Sequence, residues 1–336
     1  MTIRPATDQD LPLILALSKQ SLGELGGIRT EEYWRWKHQQ NPFGKSPVLL
    51  AFEGEKLIGL RAFMQWRFRY EGKTVQAFRA VDTATHPEHQ GKGIFSKLTM
   101  ALVDQLKDRE PAIIFNTPNQ KSMPGYVKMG WKEIGKTRLR VCVHPFNILQ
   151  HQFDFYWRQL FQWRKVLRPD ANSPAPIIFP DDIEALLTEW QNAHTHVVMT
   201  NYHLQYLQWR YQQIPMLHYG IKVSRQAGST CLIIYRLKQS NSICELRLVE
   251  VFYTGPDRKT VVRTAIHELV ETVKPDVTTV LADGQGELDA LLPFGFFKAD
   301  KRGLTITGRR VNDDGLEVLV GDYGKWSFTS GGLELF

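Results

Sequence analysis

The spacing of apolar residues changes character several times along this chain, and each change predicts an element. "TIRPA" (2–6) reads as a short strand; Leu11, Ile14, Leu15, Leu17 and Ser18 then recur at helical spacing, with Thr7 or Asp8 as the cap. A second helical stretch, "TEEYWRWKHQQ", starts at Thr30 and ends at Asn41-Pro42, where proline restricts the residue before it. Two apolar runs joined by a glycine turn, "VLLAFEG" and "KLIGLRAFMQ", predict an antiparallel hairpin, and "WRFRYEG" with "TVQAFRAVDTAT" predicts another. Past a glycine-containing stretch, "SKLTMALVDQLKD" is helical, "AIIFNTP" is a strand, "KSMPGYVKMG" is a short helix closed by Gly130, and "TRLRVCV" is a strand.

From about residue 146 the pattern becomes an aromatic and basic helix that ends in a Pro/Ser/Asn linker near residue 180. Its Phe155, Trp157, Phe161 and Trp163 do not keep to one face, which favours packing between domains over contact with a membrane surface. The second half then echoes the first. "YWRWKHQQNPF" (33–43) aligns with "YLQWRYQQIPM" (206–216), so that Tyr33 matches Tyr206, Trp36 matches Trp209, Gln39-Gln40 match Gln212-Gln213 and Pro42 matches Pro215. "YVKMGWKEIG" has a looser counterpart in "LLPFGFFKAD", and "RAVDTAT" in "RLVEVFY". The expectation is one fold used twice in tandem, with units at 1–145 and 181–336 and a helical linker at 146–180.

Composition narrows the setting. A chain of 336 residues with 43% hydrophobic content can build two cores. The net charge of +7 favours acidic or phosphorylated partners but is spread along the chain, which does not point to nucleic acid. The three cysteines, Cys142, Cys231 and Cys244, lie far apart without CxxC spacing; neither a disulfide framework nor a zinc site is expected, and a reducing, cytoplasmic setting is. No basic segment leads into an apolar run at the start, and nowhere do about 18 apolar residues follow one another, so no signal peptide or membrane span is expected. "HELVE" (267–271) lacks the second histidine of a zinc protease, His194 and His196 would face opposite ways on a strand, and a Gly-x-Ser-x-Gly elbow is absent.

The most informative stretch is "HPEHQGKGIFSKL" (86–98), which runs from a strand through two closely spaced glycines into a helix. Such an arrangement gathers backbone N–H groups and the positive end of a helix dipole around one point, a setting for an anionic phosphate. Glycines let the backbone approach that anion, and Gln90 and Lys92 add donors. Neither GxGxxG nor GxxxxGK[ST] is present, so this is not a nucleotide-fold fingerprint.

Gln90, Gly91, Lys92, Gly93 and Ile94 fit the (Gln/Arg)-x-x-Gly-x-(Gly/Ala) pyrophosphate loop, and Asn119, Tyr126, Gly130 and Trp131 keep an Asn-x6-Tyr-x3-Gly-aromatic spacing. On these motifs the chain resembles the GNAT superfamily of acyl-CoA-dependent N-acetyltransferases; Phe95 departs from the pattern, since the last loop position is usually small. The resemblance covers roughly residues 1–143 and reaches 180–336 only through the repeat. It implies an α+β three-layer fold in two tandem copies, each a mixed, mostly antiparallel sheet flanked by helices. It further implies acetyl-CoA as cosubstrate, with no metal, and direct attack of an amine on the thioester in a ternary complex. Under that resemblance the coenzyme meets Thr83, Ala84 and Thr85 at a splay between the fourth and fifth strands, the loop from Gln90 to Ser96, and Asn119. Tyr126 protonates the departing thiolate, a role suited to a phenol because its pKa is close to that of a thiol. Asp82 receives the amine proton through water; Glu32, Glu53 and His86 are weaker candidates, and His86 and His89 are expected to touch solvent or phosphate.

The second copy has "YTGPDRKTVVRTA" where the first has its loop, with an acidic residue in the phosphate position, and it lacks the tyrosine. It is expected not to bind the coenzyme; completing an acceptor pocket, forming a homodimer and bracing the first unit all stay open, with Glu250 a candidate for a shared cleft. The acceptor is a small-molecule or peptide amine of unspecified identity, with neither nucleic acid nor membrane as partner. Two alternatives remain: a non-catalytic acyl-CoA-binding or scaffolding protein, which the retained loop and Tyr126 disfavour, and an aminoacyl-tRNA-dependent transferase, which the intact loop disfavours.

Overall fold

The computed structural model describes residues 1–22, 30–107, 112–150, 176–240, 243–312 and 321–333. The first half runs β1 (Thr2–Pro5), α1 (Leu11–Leu22), α2 (Glu31–His38), β2 (Val48–Glu53), β3 (Lys56–Tyr70), β4 (Lys73–Thr85), α3 (Ile94–Leu106), β5 (Ala112–Asn116), α4 (Met123–Lys128), β6 (Lys132–Lys136) and β7 (Arg138–Val143). Capping follows the sequence: Thr7 and Asp10 form a reciprocal capping box ahead of α1, and the Thr30 side chain accepts from the Tyr33 N–H at the start of α2. One sequence expectation is corrected. "KLIGLRAFMQ" and "WRFRY" are not separate strands but one 15-residue β3, because nothing between Gln65 and Trp66 breaks the extended backbone; the turn waits for Glu71-Gly72, both at positive φ.

The second half contributes α5 (Ile183–Ala193), β8 (Val198–Thr200), α6 (Leu204–Leu207) leading into a π-helical turn at Gln208–Gln212, β9 (Gly220–Gln226), β10 (Ser229–Ser240), β11 (Ile243–Thr254), α7 (Arg258–Val273), β12 (Val277–Ala282), α8 (Glu287–Leu291), β13 (Phe297–Lys298), β14 (Thr305–Arg310), β15 (Trp326–Ser327) and α9 (Ser330–Leu333). His194 and His196 lie in the turn after α5, not on a strand. The aromatic linker residues from Phe155 to Trp163 lie outside the described residues.

Two mostly antiparallel sheets result, and they exchange strands. The first has the order β1-β2-β3-β4-β5-β14-β6, so a strand from near the chain's end lies between β5 and β6; β8 and β15 extend it beside β3. The second has the order β13-β7-β12-β11-β10-β9, and its β7 comes from the first half. Sheet membership therefore does not follow the boundaries at 145 and 181. The pairings explain why: Thr307 and Gly308 face Asn116 and Phe115 on one side and Glu133 and Lys132 on the other, closing two strand edges at once.

The repeated tryptophans meet at the centre. Trp36 and Trp209 stack with ring centroids 4.7 Å apart. The indole N–H of Trp36 donates to the Trp209 carbonyl at 2.7 Å, and that of Trp209 donates to the Trp36 carbonyl at 2.9 Å. Reciprocal contacts between equivalent residues are what a two-fold relation between two copies requires. Around this pair one apolar core runs through both halves, including Trp66, Phe68, Phe115, Tyr206, Trp326 and Phe328. A smaller core lies under α3 and another under α1, so α3 and α1 cover opposite faces of the first sheet.

Candidate functional site

The first sheet opens at one point. β4 and β5 pair in parallel over Gln76–Arg79 and Ala112–Phe115, after which β4 runs on to Thr85 without β5 beside it. A bulge in β4 falls at the same level: Arg61 faces Thr83 and Ala62 faces Val81, leaving Asp82 as the extra residue at φ +30°. The splay expected near Thr83 to Thr85 thus begins slightly earlier, at Ala80, and includes Thr83, buried Ala84 and Thr85.

The strand leads into a 3-10 turn, Pro87–His89, and then into exposed Gln90, Gly91, Lys92 and Gly93. Gly91 and Gly93 have φ of +76° and +74°, and Gly93 is the N-cap of the 13-residue α3. Among the described residues no acceptor takes the N–H of Gly91, Lys92 or Gly93, and the first-turn N–H groups of Ile94, Phe95 and Ser96 have no partner within the helix. The result is an outward-facing cradle of donors beside the splay. Phe95, the residue that breaks the motif, reaches across to α4 and meets the Tyr126 ring edge-on at 5.4 Å.

Tyr126 is 4% exposed, and its oxygen accepts from Arg61 Nη2 at 2.7 Å. No sequence argument singled out Arg61, although a signal was present: a lone charge inside the apolar run "LIGLRAFM". Asn119 is exposed, and its Oδ1 accepts from the N–H groups of Lys121 and Ser122, fixing the turn into α4. His89, expected at solvent, is instead buried and pairs with Glu53 at 3.0 Å; His86 is half-buried above Glu88 and Glu32 is exposed.

On the opposite face, Asp82 Oδ2 accepts from Lys37 Nζ at 2.7 Å and His38 Nε2 at 2.8 Å, while His38 Nδ1 lies 2.9 Å from Ser46 Oγ. With Nε2–H donating to the carboxylate, Nδ1 accepts from the Ser46 hydroxyl. Burial pushes the Asp82 carboxyl up, but the Lys37 charge and the His38 hydrogen bond outweigh it and hold Asp82 well below the usual carboxylate range. Burial in turn pushes His38 down, against the pull of Asp82. A carboxylate tied this way is a weak acceptor for an amine proton.

The second sheet repeats the splay without the loop. β11 and β12 pair over Glu245–Leu248 and Val277–Val280, after which β11 continues to Thr254. At the start of α7 the Asp257 carboxylate accepts from the Thr260 N–H, so a side-chain anion already occupies the helix terminus. A cavity of about 40 Å³ lies at this splay, room for a few waters. Glu250 borders it, fully buried, and accepts from the hydroxyls of Tyr202, Tyr211 and Thr329.

Burial raises the Glu250 carboxyl to about 7 despite those hydrogen bonds. Between about pH 4.5 and 7 the folded chain therefore keeps a proton that the unfolded chain has released, so stability falls as pH rises through this window. Glu250→Gln removes the titrating group and keeps an acceptor. Denaturant midpoints measured across that window are expected to show the variant gaining on the wild type by on the order of 3 kcal/mol, levelling off above pH 7. Parallel curves for the two proteins would mean that Glu250 titrates normally.

Residues 2–134 match the family described as "Acetyltransferase (GNAT) domain". The structure is similar to a GCN5-related N-acetyltransferase from Anabaena variabilis (TM-score 0.62, 13% identity, covering 93% of this chain and 73% of that one). It is similarly close to a GCN5-related N-acetyltransferase from Kribbella flavida (0.61, 12%, 92% and 71%) and to a probable N-acyltransferase from Enterococcus faecalis (0.61, 11%, 92% and 72%). At these identities the likeness is one of fold. No curated protein sequence matches this chain significantly.

Proposed function

We propose, from the match of residues 2–134 to the GNAT acetyltransferase family, that the protein transfers an acetyl group from acetyl-CoA to a primary amine by direct attack in a ternary complex. The observation that carries this reading is the coincidence, at the end of β4, of the β4/β5 splay with the open N-terminus of α3. The N–H groups from Gly91 to Ser96 would receive the pyrophosphate, with Gln90 and Lys92 supplementing them. The pantetheine arm would enter the splay beside Ala84 and Thr85, where the edge of β4 that β5 leaves unpaired would hold the thioester carbonyl. Asn119, at the turn into α4, would contact the coenzyme in this reading.

Tyr126 is the proton donor in this proposal. Its oxygen accepts from Arg61 and its own proton has no acceptor among the described residues, so that proton is available to a leaving thiolate. Asp82 is assigned to holding Lys37 and His38 on the other face, where an amine would approach, and not to removing the amine proton directly. The proposed chemistry invokes no metal. The second sheet, with its occupied helix terminus, is assigned to bracing the first.

Titration calorimetry with acetyl-CoA, followed by acetylation assays on an amine panel, tests the reading. Tyr126→Phe is expected to bind acetyl-CoA within about 3-fold of wild type while kcat falls roughly 100-fold, the range for loss of a general acid. Absence of acetyl-CoA binding would instead favour the reading as a scaffold.

A further inference from the structure

Arg61 is 1% exposed, and a buried charge is costly unless another charge or a full set of acceptors offsets it. Among the described residues Arg61 has no carboxylate partner. Its Nη1 makes a long contact of 3.3 Å to the Val81 carbonyl, its Nε has no partner, and its one close contact is the Tyr126 oxygen. The rest of its surroundings are aromatic: the rings of Phe63, Phe95 and Tyr126 have centroids 5.1, 5.4 and 5.6 Å from its guanidinium carbon.

Arg210, also buried, donates to the Gly331 carbonyl and to the Tyr219 hydroxyl at 3.1 Å, and the other two are tied to carboxylates or to main-chain carbonyls. Arg140 pairs with Asp289 and Asp300, and Arg79 donates to the carbonyls of Gly332 and Leu333, which tie α9 to β4. Arg61 is thus a buried cation aimed at a neutral phenol, positioned on β3 at the bulge where the sheet opens.

We propose that Arg61 is a positioning residue for acyl transfer, fixing the Tyr126 hydroxyl and supplying the countercharge for the phenolate that forms when Tyr126 gives up its proton. This rests on the acyltransferase reading above and goes beyond it by assigning the group that makes Tyr126 an effective acid. In the step concerned, the amine nitrogen bonds to the thioester carbon, and the C–S bond breaks with its electron pair on sulfur. Sulfur takes the Tyr126 proton. The nitrogen's surplus proton, released to solvent, balances the one that later restores the phenol. Between those events a negative charge sits on an oxygen that Arg61 already holds at 2.7 Å, so no reorganisation is needed to stabilise it. The orientation follows from the same contact: because the oxygen accepts from Arg61, the phenol's single proton points away from it.

A double-mutant cycle tests this, with acetyl-CoA as donor and hydroxylamine, a small nucleophile that needs no dedicated acceptor pocket. Arg61→Met is expected to lower kcat roughly 10- to 100-fold with little change in the KM for acetyl-CoA, and Arg61→Lys, which keeps the charge, to recover part of the loss. In the Tyr126→Phe background Arg61→Met should cost nothing further in kcat. Equal losses in both backgrounds, or a rise in KM with kcat unchanged, would overturn the proposal and leave Arg61 a packing residue. Should Arg61→Met fail to fold, the same comparison with Arg61→Lys decides, since additive losses would again count against coupling. A wild-type protein that binds no acetyl-CoA or never acetylates hydroxylamine would sink the acyltransferase reading itself, and this proposal with it.

Discussion

A chain cut after residue 143 is expected not to fold cooperatively, although it contains every residue matched by the GNAT family and both of its motifs. The cut removes β14, leaving β6 without a neighbour and the outer edge of β5 bare. It also strips Trp209 from Trp36, Tyr206 from Trp66, and Trp326 and Phe328 from Phe68. Each large apolar side chain returned to water costs roughly 2 kcal/mol, so a handful offsets the 5–15 kcal/mol that holds a typical domain together. Circular dichroism of the fragment should keep strand and helix signal but show a broad, non-cooperative thermal profile. A sharp transition would mean that the first sheet closes without its borrowed strand, and that the unit 1–145 read from the sequence stands by itself.

Replacing Gly93 by valine should weaken acetyl-CoA binding by at least about 100-fold, roughly 3 kcal/mol. At φ +74° a β-branched residue is strained, and relaxing that strain turns the N–H groups at the head of α3 away from a common point. Stability is a separate matter, because a Cβ at Gly93 meets nothing within 4 Å. Gly72 supplies the control: it has φ +75° and equally open surroundings, but lies in the β3–β4 hairpin away from the loop. Gly72→Val should therefore lose comparable stability and keep full affinity. Equal affinities for Gly93→Val and wild type by calorimetry would remove the loop from the coenzyme site.

Both predictions depend on how far the sequence could be read. The loop was legible because its signal is local: two glycines two residues apart, after a strand and before a helical pattern, specify a turn whatever the rest of the chain does. The aligned tryptophans of the two halves, Trp36 and Trp209, stack on each other, and Asp257, the acidic residue in the second half's counterpart of the loop, caps α7. Among the described residues no helix is long and apolar enough to cross a membrane. Phe95 looked like a defect in the motif. In the fold it spans from α3 to Tyr126 and helps enclose Arg61.

What the sequence determined by itself was local and periodic: the helices of the first half with the caps of α1 and α2, the hairpins to within one misplaced break, and the glycine turn ahead of α3. Tertiary structure decided the rest, because periodicity records which face of a strand is apolar but not which strand lies next to it. "TITGRR" carries nothing to say that it belongs between β5 and β6 of the other half. Asp82 read as a base while Lys37 and His38 were only charges on a helix; packing α2 over the bulge made it an ion-paired anchor. Arg61 and Tyr126 are 65 residues apart in the chain, and only the stacking of α3 and α4 on β3 brings a cation in need of an anion to a phenol able to become one.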